Sequence, residues 1–161
     1  MDTWRAAYAG IVPDDYLANL SYGESERLWR DVLDAREGCV FVAEGDRGIY
    51  GFASGRPRRR FSKGLEEYRG VLETVYVLPA GQGTGVGRDL MEAVARYFLD
   101  HAVTSMILWV FEENHAARGF YEALGGVPVA GDGFEIGGAW VREMAYGWRD
   151  LGVLLRRAGP G

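Results

Sequence analysis

A mixed α/β fold is predicted, and three observations carry the prediction. The hydrophobic period is helical at the opening of the chain, turns strand-like at Cys39, then alternates strand, helix, strand, helix before a closing strand pair. A glycine-rich turn joins one of those strands directly to a long amphipathic helix. The length, 161 residues, is that of one ordinary domain, so residues 1–161 are expected to form a single unit around one core.

Each element has its own signal. Residues 3–9 read as helix and stop before Gly10 and Pro13; Pro13, Asp14 and Asp15 then supply a turn from which a short helix restarts. Residues 25–36 place Leu28, Trp29, Val32 and Leu33 at helical spacing and end at Glu37 and Gly38. Residues 39–44 and 49–54 are short and rich in β-formers, with Gly45-Asp46-Arg47-Gly48 between them, the pattern of an antiparallel hairpin. Residues 56–63 are polar and basic and read as a loop. Residues 71–78 form the next strand, closed by Pro79. In residues 86–101, Leu90, Met91, Val94, Phe98 and Leu99 share one helical stripe, and the strand 105–111 follows. Residues 114–124 are a further helix, bounded by Gly125 and Gly126. Residues 127–130 and 139–146 close the fold as a strand pair, with 131–138 as the turn region between them.

Composition narrows the class. Apolar residues make up 48% of the chain and the net charge is -5, which describes a globular protein with no general attraction for nucleic acid or for an anionic membrane surface. The start of the sequence lacks the basic and apolar runs of a signal peptide, and no stretch is apolar enough to span a bilayer, so a cytoplasmic location is expected. Cys39 is the only cysteine. It excludes a disulfide framework and a cysteine metal cluster, suits a reducing compartment, and reads as a core thiol at the start of a buried strand.

The segment from Val75 to Phe98 is the most informative. A strand runs into glycines at 81, 83, 85 and 87, and a strong helix begins among them. Such a turn leaves backbone N–H groups open and aimed outward at a positive helix end, which is how a chain binds a phosphate. No Gly-Lys-Ser/Thr follows, so it is not a P-loop. No acidic residue closes the strand 105–111 at the ribose distance either, because Glu112 and Glu113 lie beyond its end, and a dinucleotide fingerprint is excluded with it.

Residues 82–87, Gln-Gly-Thr-Gly-Val-Gly, resemble the Gln/Arg-x-x-Gly-x-Gly/Ala signature of the GNAT superfamily of N-acetyltransferases. Asn114-x-x-Ala117-x-x-Phe120-Tyr121-x-x-x-Gly125 is similar to that superfamily's second conserved block, at the expected distance after the intervening strand. The resemblance covers roughly residues 39–146. It implies a strongly twisted mixed sheet with flanking helices, whose central parallel strands, 71–78 and 105–111, splay apart. It also implies acetyl-CoA, or another acyl-CoA, as cofactor. The pantetheine arm would borrow main-chain hydrogen bonds from Val75, Tyr76 and Val77. Its pyrophosphate would rest on the amides of Gln82, Gly83, Thr84, Gly85, Val86 and Gly87, with Arg88 adding charge and Asn114 touching the pantetheine side. The family's usual first strand is not read in this sequence, so that either the start is placed late or the sheet is shortened; a shortened sheet leaves an edge which a partner, such as a second copy in a homodimer, or another segment must cover.

The same resemblance implies transfer of an acetyl or short acyl group to a primary amine, of a small molecule or of a protein, by direct attack in a ternary complex. Tyr121 stands at the family's acid position, where its hydroxyl protonates the departing thiolate, and an amide in the 75–77 stretch offers hydrogen bonding to developing oxyanion charge. Glu73 is the candidate base. Strand alternation puts it on the side of Val75 and Val77, where a carboxylate among apolar residues needs solvent or an ion pair.

Other groups are weighed and left aside. His101 reads as a surface residue at a helix end and His115 lies beside Asn114; with no third ligand, no metal site is expected. Trp4, Tyr8, Tyr16, Tyr22 and Trp29 make the opening region aromatic, which suits an organic acceptor and equally suits packing. Arg56, Arg58, Arg59 and Arg60 with Lys63 read as a solvated loop, with an acidic acceptor or the CoA 3′-phosphate as the alternative use, and not as a nucleic-acid patch. An acyl-CoA-binding sensor without turnover is the alternative reading.

Overall fold

In the computed structural model, which describes residue 5, residues 8–35 and residues 37–156, one six-stranded sheet runs β1-β2-β3-β4-β6-β5. Its strands are β1 (Cys39–Gly45), β2 (Gly48–Pro57), β3 (Gly70–Val77), β4 (Met106–Phe111), β5 (Val127–Ile136) and β6 (Ala139–Trp148). Only β3 and β4 are parallel, joined by helix α3 (Val86–Asp100); every other neighbour pair is antiparallel. The mixed α/β expectation therefore holds. Among the described residues no strand lies on the outer side of β1, and Val42 there is 55% exposed.

The opening helices differ in detail from the sequence pattern. The helix expected over residues 3–9 falls largely on residues 1–4, 6 and 7, which lie outside the described residues; Arg5 and Tyr8 are helical. Helix α1 (Asp14–Ala18) follows Pro13 and carries Asp14 and Asp15 in its first turn, where negative charge meets the positive helix end. Helix α2 (Tyr22–Ala35) begins at Tyr22 instead of Ser25, because Ser21 Oγ accepts the Glu24 N–H and caps the start. Its predicted apolar stripe is only half used. Trp29 packs edge-on against Phe52 of β2 at 5.1 Å, whereas Leu28 and Leu33 are 62% and 56% exposed.

Strand ends are where register overrides local pattern. Arg56 and Pro57, expected in a loop, belong to β2 because they pair with Val71 and Gly70 of β3. The predicted turn region 131–138 is mostly strand. Gly131 to Ile136 pair with Met144 to Ala139, and the turn shrinks to Gly137 and Gly138, both at positive φ. Gly133 inside β5 makes room for a ring, since a Cβ there would come within 2.8 Å of Trp140.

The main core lies on the α3 face of the sheet. Leu90, Met91, Val94, Ala95 and Phe98 of α3 are buried there with Leu72, Met106, Leu108, Tyr146 and Trp148, and helix α4 (His115–Ala123) adds Tyr121. Phe98 fits because two neighbouring strands carry glycine where its ring lands. A Cβ on Gly70 would approach it to 2.8 Å and one on Gly55 to 3.0 Å. The opposite face is covered by α2 and by the segment between β2 and β3, where Leu65 and Tyr68 pack on Ile107 and Ala145. Arg58, predicted to be a solvated loop residue, holds that segment in place by donating through Nη1 to the carbonyls of Leu65 (2.8 Å) and Tyr68 (3.0 Å). Among the described residues no helix is long and apolar enough to cross a membrane. A short helix, α5 (Gly152–Leu155), closes the chain behind α3.

Phe98→Ala empties a fully buried site between two glycines that cannot fill it, and should lower unfolding free energy by about 3–5 kcal/mol, read as a lower urea midpoint at unchanged slope.

Candidate active site

The site begins where the sheet comes apart. Strands β3 and β4 are in register only at Gly70 with Met106 and Val71 with Ile107. Beyond that they diverge, while β3 keeps pairing with β2 as far as Val77 and Gly51. The Leu78 N–H donates to the Tyr50 carbonyl at 2.7 Å, so by alternation the amides of Tyr76 and Thr74 also turn toward β2, and those of Val75 and Val77 turn to the gap. Of the three strand residues singled out from the sequence, Val75 and Val77 thus present backbone to the opening. Tyr76 presents its side chain on the far face.

The gap leads into the glycine turn. Pro79–Gly81 forms one 3₁₀ turn, after which Gly83 and Gly85 adopt φ of +72° and +94°, a region only glycine enters without strain. A Cβ at either position would meet nothing within 4 Å, and Gln82 to Gly85 are solvent-exposed, so the outer surface of the turn is open. Gly85 caps α3 without a side-chain bond, and the first helical backbone bond is from Asp89 N–H to the Gly85 carbonyl. The amides of Val86, Gly87 and Arg88 therefore sit ahead of the helix's own ladder, at its positive end. The turn is braced from behind, with Gln82 Nε2 donating to the Val77 carbonyl (3.1 Å) and Thr84 Oγ1 to the Gly81 carbonyl (2.6 Å). Gly87 is pressed against the Phe120 ring, 3.1 Å from where a Cβ would stand. Arg88 Nη2 donates to the Arg156 carbonyl (3.2 Å).

Asn114 and Tyr121 are set by α4. Asn114 Oδ1 accepts the Ala117 N–H at 3.2 Å and caps the helix, so part of its side chain is already used in holding α4. Tyr121 is buried among Phe120, Tyr146 and Trp148. Burial raises its hydroxyl well above the ordinary tyrosine range, and the Tyr8 hydroxyl adds to the shift.

Glu73 departs from the sequence reading. The β2–β3 register passes from Ser54 with Thr74 to Gly55 with Leu72, so Glu73 is an extra residue at a bulge and strict alternation fails there. Leu72, Val75 and Val77 share the α3 face as a result, while Glu73 lines a cleft of ≈ 470 Å³ on the side of α2, with Asp31, Val32, Ser54 and Arg56. Its Oε1 accepts from Arg56 Nε at 2.6 Å, and both side chains stay partly exposed.

Structure also brings together groups that the sequence pattern did not single out as a site. On the α2 face an unbroken aromatic row crosses the sheet. Trp29 meets Phe52, Phe52 meets Tyr76 (5.3 Å), Tyr76 shares a hydrogen bond with Tyr8, Tyr8 meets Phe111 edge-on (4.9 Å), and Phe111 meets Phe134 (6.2 Å). Glu143 lies directly opposite Phe111 on one side and Asp132 on the other. Only register reveals this placement. Among the described residues no three His, Cys, Asp or Glu side chains gather as a metal-ion set. Cys39 is buried, its thiol pushed up to about 11 by burial, as a core thiol should be.

A splayed pair of parallel strands leading into an open glycine turn and an uncapped helix is the geometry against which known proteins can be compared. A model of the acetyltransferase (GNAT) family matches residues 4–126. The chain belongs to that family. It is 40% identical to the N-acetyltransferase YuaI of Bacillus subtilis over 155 residues, covering 96% of this chain and 86% of that protein. It is 30% identical over 129 residues to an aminoglycoside N(6′)-acetyltransferase type 1 of Salmonella typhimurium, covering 78% and 83% of the two chains. Among solved structures, yncA of Salmonella typhimurium with acetyl-CoA aligns with a TM-score of 0.61 at 23% identity, over 86% of this chain and 77% of that one. As a member of the GNAT family the protein is an acyl-CoA-dependent N-acetyltransferase, with acetyl-CoA or another acyl-CoA as its donor.

One titration should be visible in stability. Burial, and then the facing Asp132, raise the Glu143 carboxyl above its ordinary value. A raised carboxyl favours the folded state below the unfolded glutamate range, about 4.3, and that contribution is lost as pH rises through the folded value. Glu143→Gln should therefore raise the melting temperature at pH 7, with the gain disappearing below about pH 4 when the two proteins are scanned side by side.

Proposed function

We propose that this protein transfers an acetyl or short acyl group from acyl-CoA to a primary amine by direct attack in a ternary complex, as one domain spanning residues 1–161. The observation that carries the reading is the gap between β3 and β4, which opens the amides of Val75 and Val77 and runs straight into the turn at residues 82–87. The open φ-positive glycines fit a pyrophosphate seat, and the amides of Gln82, Gly83, Thr84, Gly85, Val86 and Gly87 are the groups that would hold it. Arg88 and Asn114 flank that path, the latter through the part of its amide not engaged in capping.

Acyl-CoA supplies the acyl group as an activated thioester. What the chain supplies is placement, hydrogen bonding and proton handling. Val75 or Val77 N–H gives a donor fixed in the strand, which costs no reorganisation when carbonyl charge develops beside it. Burial favours the protonated Tyr121 hydroxyl, which leaves it able to donate a hydrogen bond to the departing thiolate and unsuited to act as a base. Glu73 is the base of this scheme, reaching an acceptor from the α2 cleft, and Arg56 fixes its orientation.

The acceptor is a small organic amine in this reading. Asp31, Glu37 and Glu73 line the cleft on the α2 side, with Glu37 and Glu73 paired to Arg59 and Arg56. Relatives named aminoglycoside N(6′)-acetyltransferases support a cationic acceptor of this kind. The single buried cysteine suits the reducing cytoplasm as the site of action.

Calorimetric titration with acetyl-CoA, desulfo-CoA and ADP tests the cofactor seat. Saturable binding that Gly85→Glu abolishes, in a variant with an unchanged circular dichroism spectrum, is expected; no binding by the folded wild-type chain would sink the reading. With an amine acceptor in hand, Tyr121→Phe should lower kcat by about 10²-fold while leaving the acetyl-CoA dissociation constant within about two-fold. Equal turnover by Tyr121→Phe removes the acid role, and binding without transfer to any amine would favour the sensor.

A further inference from the structure

Helix α4 carries Tyr121 and is capped by Asn114, yet at 9 residues it is too short to hold its own geometry, so its placement depends on what fastens it to the sheet. Strand β6 supplies the fastening. Tyr146 and Trp148 alternate along it onto the α4 face, both buried, and each forms a side-chain hydrogen bond with the helix or its C-terminal end. Trp148 Nε1 donates to the Leu124 carbonyl at 3.0 Å. The Tyr146 hydroxyl donates to Glu122 Oε1 at 2.6 Å and accepts from Arg118 Nε at 3.1 Å, so one oxygen lies between an anion and a cation a single helical turn apart. Arg118 also donates through Nη1 to the Glu112 carbonyl at 2.7 Å, which ties the same network to the turn that leaves β4.

Tyr121 lies among these fasteners. In sequence it follows Arg118 by one turn and directly precedes Glu122. In space its ring centroid is 6.2 Å from that of Tyr146 and 6.2 Å from that of Trp148, the latter edge-on. Its own hydroxyl forms no hydrogen bond with another described residue. The direction of that hydroxyl is therefore set by packing, which means by the neighbouring rings and by the roll of α4 about its axis.

We infer that Tyr146 is a positioning residue for the transfer reaction: held by Glu122 and Arg118, its hydroxyl fixes α4 against β6 and thereby aims the Tyr121 hydroxyl at the cofactor sulfur. A satisfied buried network rigidifies the elements that it joins. Such rigidity matters here because a catalytic donor has to be held within about 0.5 Å of its productive place. The inference rests on the acid role proposed for Tyr121, and the experiment separates the two.

The test needs no amine acceptor. A hydrogen bond from Tyr121 to sulfur forms with CoA and not with desulfo-CoA, so the ratio of their dissociation constants reads that one contact. The ratio is measured by calorimetry at about pH 8.5, near the ordinary thiol pKa, with the melting temperature of each protein recorded alongside. Wild type should favour CoA about five-fold, the worth of one ordinary hydrogen bond, and Tyr121→Phe should bring the ratio to about one. Tyr146→Phe keeps the ring and should bring the ratio below about two, with desulfo-CoA affinity within about two-fold of wild type. The double variant should match Tyr121→Phe, because a residue that acts only through Tyr121 has nothing left to act on. Glu122 is the exposed end of the network, so variants there keep the test open if Tyr146→Phe does not fold. Glu122→Ala should lower the ratio, and Glu122→Gln, which retains an oxygen acceptor, should preserve it. Equal weakening of both ligands in Tyr146→Phe, or an unchanged ratio in the folded variants, assigns Tyr146 to stability and overturns the inference alone. A wild-type ratio of about one that Tyr121→Phe leaves unmoved overturns the acid role of Tyr121 and the inference with it. Failure of wild type to bind either ligand overturns the acyl-CoA site itself.

Discussion

The divergence of two parallel strands organises this molecule. A sheet normally satisfies backbone groups by pairing them, and here β4 stops doing so for β3 after Val71. Everything around the gap compensates. On one face α3 packs beside it, with Phe98 over Gly55 and Gly70, and α4 adds Tyr121; on the other a row of rings lies across it. Val77's carbonyl finds the Gln82 amide, and β4 takes up a full antiparallel register with β6, from Met106 with Trp148 to Phe111 with Glu143. The sheet can afford an opening in its middle because both of its halves are separately paired and separately packed.

Much of this was legible in the sequence because the signals were local. The run from Val75 to Phe98 contains its own strand, turn and helix, and the positive φ at Gly83 and Gly85 is what those glycines foretold. Asn114, Ala117, Phe120 and Tyr121 likewise share one short helix, so their spacing fixes their relative positions. Strand ends were less legible, since Arg56, Pro57 and residues 131–136 carry turn-like or polar residues and become strand only by pairing with partners distant in sequence.

The site was legible in proportion. Backbone conformation could be read from the glycines; the face on which a side chain lies could not. Glu73 illustrates the limit, because one extra residue in β3 reverses the parity on which the alternation argument depends, and a bulge leaves no mark in composition. Tyr8 illustrates it from the other side. It belongs to a segment whose aromatic content was plain, but its meeting with Tyr76 and Phe111 depends on three elements brought together by topology. The caps tell a related story: Ser21 and Asn114 both serve helix starts, and only Asn114 stood in a recognisable pattern.

The segment between β2 and β3, which Arg58 fastens to the sheet, carries an exposed Lys63, the sole lysine of the chain. Guanidinium groups stay protonated and offer no lone pair to a thioester, so the arginines that replace lysine elsewhere are inert toward the protein's own chemistry. A catalyst that decorates amines has thereby stripped its surface of nearly every side-chain amine. The one side-chain amine left is Lys63, on a segment that lies on the face of the sheet away from α3.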